Sequence, residues 1–276
     1  MPIVPEFDDF TARYNAGKNQ VIYTRLAADL DTPVSLMMKL TGTQKDSFVL
    51  ESVTGGEVRG RYSIVGMKPD LIWKCEGDKS YLNRDARFDQ DGYVLQSKPP
   101  LTALRDLLSE SHIDLPDDLP QSSAGLFGYL GYDMIRLVEY LPNINPDPIG
   151  LPDSVFLRPT VIAVLDGVKG EVILVAPVWH SSSVSPKAAY AQAAERIMDA
   201  VRDLERPVPD LRRLGPPDEA ASLTSNFSKQ DYIDAVQKAK SYIKAGDIFQ
   251  VVPAQRWTQD FTLPPFSLYR SLRQTN

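Results

Sequence analysis

The chain has 276 residues, 43% apolar and 24% charged, the balance of a soluble globular protein with room for one large domain or two ordinary ones. Its net charge of −6 argues against a general nucleic-acid or anionic-membrane surface. The single cysteine, Cys75, rules out an intramolecular disulfide and fits a reducing, cytoplasmic setting, and the two histidines, His112 and His180, stand too far apart to suggest a metal site.

The opening MPIVPEFDDF is acidic and broken by proline, unlike a signal peptide. No run approaches the length of a membrane span. Phe7, Phe10 and Tyr14 at helical spacing predict a helix over 6–16. QVIYTRLAAD reads as a strand. Thr32 as N-cap and Pro33 at the first helical position open a helix over 31–41. DSFVLESV, GRYSIVG, LIWKCEG and KSYLNRD then read as four short strands of an antiparallel meander, with Cys75 as a core thiol. DARFDQDGY is a loop, and PLTALRDLLSES an amphipathic helix. AGLFGYLGYDMIRLVEYL begins as a glycine-spaced strand and turns helical near Asp133; the glycines suggest close backbone packing, since no phosphate-loop pattern is present. A Pro-rich loop follows, LPNINPDPIGLPD. Residues 155–179 form a hairpin around DGVKG, and 185–205 a long helix. Residues 206–226 have the composition of a linker, in which Arg212 and Arg213 read as a solvated pair. A helix over 228–247 has Ser228 and Asp231 placed as a capping box and Gly246 as its C-terminal cap. A buried strand is expected over DIFQVVPAQRW, and a last helix begins at PFSLYRSLRQTN. Strands come in runs with helices between them, which favours an α+β fold with antiparallel sheets.

Three stretches hold residues suited to chemistry. In SFVLESV, alternation puts Phe48, Leu50 and Ser52 on one face and Val49, Glu51 and Val53 on the other. Ser52 thus shares an apolar face, and its hydroxyl needs a partner, either neighbouring backbone or a ligand. EVRGRYSIVG places Arg61 and Ser63 on one face and Tyr62 on the other. Arg59 and Arg61 suit a carboxylate or simply solvent. In DIFQVVPAQRW, Gln250 is an amide among aliphatics, either satisfied by backbone or set in a pocket wall, and Pro253 implies a bulge or an edge.

Two of these stretches together, VLESVTGGEVRGRYSIVGMKPD and, much later, AKSYIKAGDIFQVVPAQRW, resemble the large, chorismate-binding subunit (component I) of anthranilate synthases from about residue 20 onward. The resemblance implies a two-domain α/β sandwich of large antiparallel sheets. It also implies an enzyme, a lyase of tryptophan biosynthesis. Such an enzyme aminates chorismate with ammonia supplied by a glutaminase subunit (component II) and then expels pyruvate to give anthranilate. Mg²⁺ is its cofactor and tryptophan its feedback inhibitor. Tryptophan is held in that family by a Leu-Glu-Ser motif, here Leu50, Glu51 and Ser52, with Arg61, Tyr62 and Ser63 as candidates to line the same pocket. Gln250 falls where related isochorismate and salicylate synthases carry a water-activating lysine, so it is the candidate catalytic residue on the side where the nucleophile enters. The family's metal glutamates, catalytic histidine and carboxylate-anchoring arginine lie beyond residue 276, so no metal ligand is expected here. The chain then reads as an amino-terminal piece, inactive by itself. Residues 1–205 would be a regulatory domain, 206–226 a linker and 227–276 the start of the chorismate-binding domain. Aminodeoxychorismate synthase large subunits share the architecture and the glutamine, and a non-catalytic tryptophan-binding or subunit-docking module is a further alternative.

Overall fold

The computed structural model describes residues 1–42, 44–52, 60–142, 146–209 and 222–275. Val53, Arg59, Arg212, Arg213 and most of the expected linker lie outside them. The chain divides into two units, Met1–Pro209 and Asp210–Asn276.

In the first unit the elements run α1 (Phe7–Asn15), β1 (Gln20–Ala27), α2 (Pro33–Thr41), β2 (Phe48–Leu50), β3 (Tyr62–Glu76), β4 (Lys79–Asn83), β5 (Val94–Leu95), α3 (Pro100–Glu110), β6 (Phe127–Leu130), β7 (Ser154–Asp166), β8 (Glu171–Val178) and α4 (Pro186–Leu204). One eight-stranded antiparallel sheet has the order β1-β8-β7-β3-β4-β5, with β2 added on β3 and β6 on β7. This is the expected α+β class. Its centre is the long β3–β7 pair, from Tyr62↔Asp166 to Cys75↔Ser154.

The expectation of two strands, 60–66 and 71–77, is corrected here: both belong to β3. Met-Lys-Pro-Asp reads as a break because proline cannot donate to a ladder. The structure absorbs it as a β-bulge, with Lys68 at φ 52° and a register shift between Pro69 and Leu71. A bulge is a place where an interior strand tolerates proline.

Alternation along the strands sends side chains to two cores. Val65, Met67, Val161, Ala163 and Leu174 pack under α1, α2 and α4, meeting Phe10, Leu36, Ala193 and Ile197. Ile64, Ile162, Val164, Ile173 and Val175 pack on the opposite face with Ile113, Leu119 and Phe48. The buried residues Ala189, Ala193, Ile197 and Ala200 of α4 repeat at helical spacing, and their small side chains bring the helix close to the sheet. Cys75 is fully buried, and burial pushes its thiol up to about 11, so it is an inert core group.

The glycine spacing of GLFGYLG has a steric cause. A Cβ at Gly128 would stand 1.8 Å from the Val155 carbonyl oxygen, and one at Gly131 2.6 Å from that of Asp153. Gly128→Ala must therefore push β6 off β7. The expected loss is roughly 2 kcal/mol or more, the order for overpacking a tight site. A urea melt checks it; a wild-type midpoint would show that the strands can separate freely there.

The second unit holds β9 (Thr224–Ser225), α5 (Lys229–Ala245), β10 (Trp257–Thr258) and α6 (Pro265–Thr275). The N-cap and C-cap of α5 stand where expected: Ser228 Oγ accepts from the Asp231 N–H, and Gly246 sits in the left-handed region at φ 83°. In place of the reciprocal bond of a capping box, the Asp231 carboxylate accepts from the Ser228 hydroxyl at 2.7 Å. The buried strand over 247–257 does not form; only Trp257–Thr258 pairs, with Thr224–Ser225. Phe249 is 95% and Val252 77% exposed, and Gln250 faces solvent. A strand needs a ladder partner, and among the described residues none pairs in a ladder with 248–256. The segment is held instead by the Tyr232 hydroxyl donating to the Pro253 carbonyl (3.5 Å) and Gln255 Nε2 to Ser225 Oγ (2.6 Å).

Candidate functional site

The Leu-Glu-Ser stretch leaves the sheet where β2 ends. Phe48↔Gly66, Val49↔Val65 and Leu50↔Ile64 hold it on β3. Gly66 is required there, because a Cβ would stand 2.2 Å from the Phe48 ring. That ring stacks on Phe127 at 4.8 Å between centroids. Phe48 and Val49 take opposite faces, as alternation requires: Phe48 joins the core of Ile64, Val49 the core of Val65. Leu50 is 52% exposed. Glu51 and Ser52 are half-buried and lie just past the ladder, so strand alternation does not aim their side chains.

Ser52 and Ser63 come together. The Ser52 N–H donates to Ser63 Oγ across a long 3.4 Å. Ser63 itself is buried among apolar neighbours, so this edge offers polar groups beside an apolar surface. Tyr62 is half-buried against the Phe48 core, and the Arg61 guanidinium lies over its ring, 4.9 Å from the centroid. The five residues Glu51, Ser52, Arg61, Tyr62 and Ser63 therefore flank one sheet edge, with Leu50 at its start. Gln250 belongs to the other unit, where no regular element positions it.

The guanidinium of Arg61 is already engaged. Its Nε donates to both carboxylate oxygens of Asp166 at 3.0 Å, and its Nη2 to Oδ2 at 2.6 Å. Sequence reasoning missed Asp166. It opens the DGVKG turn, where its carboxylate accepts from the N–H groups of Val168 and Lys169 (3.0 and 3.2 Å). An aspartate there reads as a turn residue, and nothing local reveals a partner 105 residues away. Its carboxylate ties the end of the Leu50–Ser63 region to the β7–β8 hairpin.

Burial alone would raise the Asp166 carboxyl. The Arg61 hydrogen bonds and the two turn N–H groups outweigh it and hold the carboxyl below the usual range. A folded-state pKa depressed below the unfolded one gives stability that is present above the unfolded value. That stability is lost as pH falls through the folded value. Wild-type melting temperature is thus expected to drop more steeply than that of Asp166→Asn below about pH 4. Asp166→Ala is expected to cost about 2 kcal/mol at neutral pH by orphaning the turn's donors. Parallel acid slopes in wild type and Asp166→Asn would contradict the assignment.

Among the described residues, no group of three or more His, Cys, Asp or Glu could hold a metal ion. They do not fit the Mg²⁺ that the resemblance implies. Nor is any helix among them long and apolar enough to cross a membrane.

Comparison with known proteins decides the family. A sequence model described as chorismate binding enzyme matches residues 56–276. The chain belongs to the chorismate binding enzyme family. Within this family, its relatives include anthranilate synthase component 1 of Cereibacter sphaeroides, 63% identical over 270 residues, covering 98% of this chain and 54% of that protein. The Thermus thermophilus anthranilate synthase component 1 is 38% identical over 253 residues, 90% of this chain and 50% of that protein. The crystal structure of anthranilate synthase component I from Streptococcus pneumoniae superposes with a TM-score of 0.63 at 26% identity, covering 91% of this chain and 52% of that one. The resemblance to component I read from the sequence is borne out, and with it the α+β fold. The chain spans about half the length of the curated relatives it matches.

Proposed function

We propose that this chorismate-family chain is the amino-terminal part of an anthranilate synthase component 1, holding its regulatory domain and the start of its chorismate-binding domain. The complete subunit converts chorismate and ammonia to anthranilate and pyruvate, with Mg²⁺ as cofactor. A glutaminase subunit delivers the ammonia. Tryptophan inhibits the reaction by binding at the Leu50–Ser63 edge. The observation that carries this reading is the 63% identity to a protein named anthranilate synthase component 1 across 98% of this chain. The edge itself supports it. A tryptophan molecule brings an ammonium, a carboxylate and an indole, and burying either charge without partners is costly. Ser52, Glu51 and Ser63 supply polar groups, and the apolar surface around Phe48 and Tyr62 suits the indole.

Residues 1–276 by themselves are expected to form no anthranilate. The metal and carboxylate anchors implied by the resemblance have no counterpart in them, and they span about half of the relatives' length. Fluorescence with chorismate, Mg²⁺ and ammonium tests this; turnover above a blank would overturn it. Chromatography of the complete subunit's product tests the function itself. Anthranilate with released pyruvate is expected. Aminodeoxychorismate without pyruvate would replace the reading with the sister activity.

A further inference from the structure

The first unit also contains a cavity of about 410 Å³, between the end of β8, α4, and the loop after β4. That volume is of the size that holds small organic ligands. It is distinct from the Ser52 edge. Its Arg158 stands seven residues along β7 from Leu165, the partner of Ser63, roughly 23 Å at the rise of a strand.

Two of its guanidiniums are satisfied from within. Arg158, only 7% exposed, gives Nε and Nη2 to Asp70 (2.9 and 2.8 Å) and Nη1 to Ser111 Oγ (3.2 Å). It also lies 4.0 Å from the centre of the Trp179 ring. Arg84 binds Glu110 through both ends of its fork at 2.6 and 2.7 Å. The other two differ. Arg196 donates Nη2 to the Pro177 carbonyl (3.1 Å), but its Nε is buried with no hydrogen-bond partner. Burial lowers the Arg196 pKa; Asp70 opposes that, and the positive charge of Arg87 adds to it. Arg196 and Arg87 both line the cavity, and among the described residues neither has a side-chain carboxylate partner through a hydrogen bond or ion pair of the kind that holds Arg158 and Arg84. A buried unpaired N–H such as Arg196 Nε is costly unless a ligand meets it.

We propose that this cavity is a second ligand site, built for a small organic monocarboxylate with an apolar body, with Arg196 and Arg87 receiving the carboxylate. The charge selects the class: four arginines against Asp70, Asp85 and Glu110 leave one net positive charge in the lining. A planar carboxylate matches a guanidinium fork. Phe88, Val178, Val184 and Ala189 give the apolar body its wall. This site stands independently of the tryptophan reading.

The test is calorimetry of residues 1–276 with sodium benzoate, at constant ionic strength set by chloride. Acetate and inorganic phosphate are the comparison probes. Benzoate is expected to bind at one saturable site. Arg87→Gln, at an exposed position where folding is not at stake, and Arg196→Met should each weaken it at least about tenfold, as loss of one charge-assisted bond does. Ser52→Phe should leave it unchanged. No saturable heat, equal affinity in Arg87→Gln, or phosphate or acetate binding as tightly as benzoate would each overturn the proposal. Should Arg196→Met melt early, Arg87→Gln alone decides.

Discussion

Replacing Gln250 with lysine in the complete subunit is expected to cut anthranilate formation about 10²–10³-fold, the usual cost of losing one positioned donor in a reacting site. An amide can accept a hydrogen bond from ammonia and donate to substrate, but it cannot take a proton from water near neutral pH. Without a base, water attack lacks an acceleration of about 10²–10⁴-fold, and ammonia is left as the effective nucleophile. A lysine would bring an ammonium whose pKa burial can lower toward neutrality. The expected residue of activity is a trace of isochorismate. In this structure Gln250 lies in an exposed stretch, with Phe249 and Val252 largely open to solvent. Product chromatography under saturating ammonium checks the effect. Wild-type anthranilate rates in folded Gln250→Lys and Gln250→Ala would mean that the nucleophile is chosen elsewhere.

How much of this was legible in the sequence depends on how local each signal is. Thr32 with Pro33, Ser228 with Gly246 and the alanine repeat of α4 act within a turn or two, and each element stands where its residues predict. The hairpin around DGVKG was equally plain. Pro69 misled because a proline marks either a break or a bulge, and only the partner β7 decides which. Gln250 misled for the same kind of reason. Apolar alternation over 248–254 describes a strand that has a neighbour, and the described residues supply none. At the candidate site, the apolar face through Phe48 was readable, whereas Asp166 was not. Its carboxylate serves the turn and Arg61 at once, and the second role exists only after β3 pairs with β7.

Replacing Ser52 with phenylalanine is expected to relieve tryptophan inhibition while leaving uninhibited turnover near normal. Ser52 sits half-buried beyond the end of β2, its N–H toward Ser63 Oγ. A phenyl ring there would fill the space beside the apolar surface and remove the hydroxyl. Losing one hydrogen bond to a charged group of the ligand costs about tenfold in affinity or more, and the added bulk increases the loss. Ser52→Arg should act in the same direction. Asp166→Asn, which weakens the tie between Arg61 and the hairpin, should loosen inhibition less. The decisive measurement is a tryptophan titration of anthranilate fluorescence in the complete subunit, wild type beside Ser52→Phe, with chorismate, Mg²⁺ and ammonium. The account predicts strong inhibition of the wild type and a concentration for half-inhibition at least about tenfold higher in the variant, with equal rates before tryptophan is added. A folded Ser52→Phe enzyme that remains as tryptophan-sensitive as wild type would contradict it.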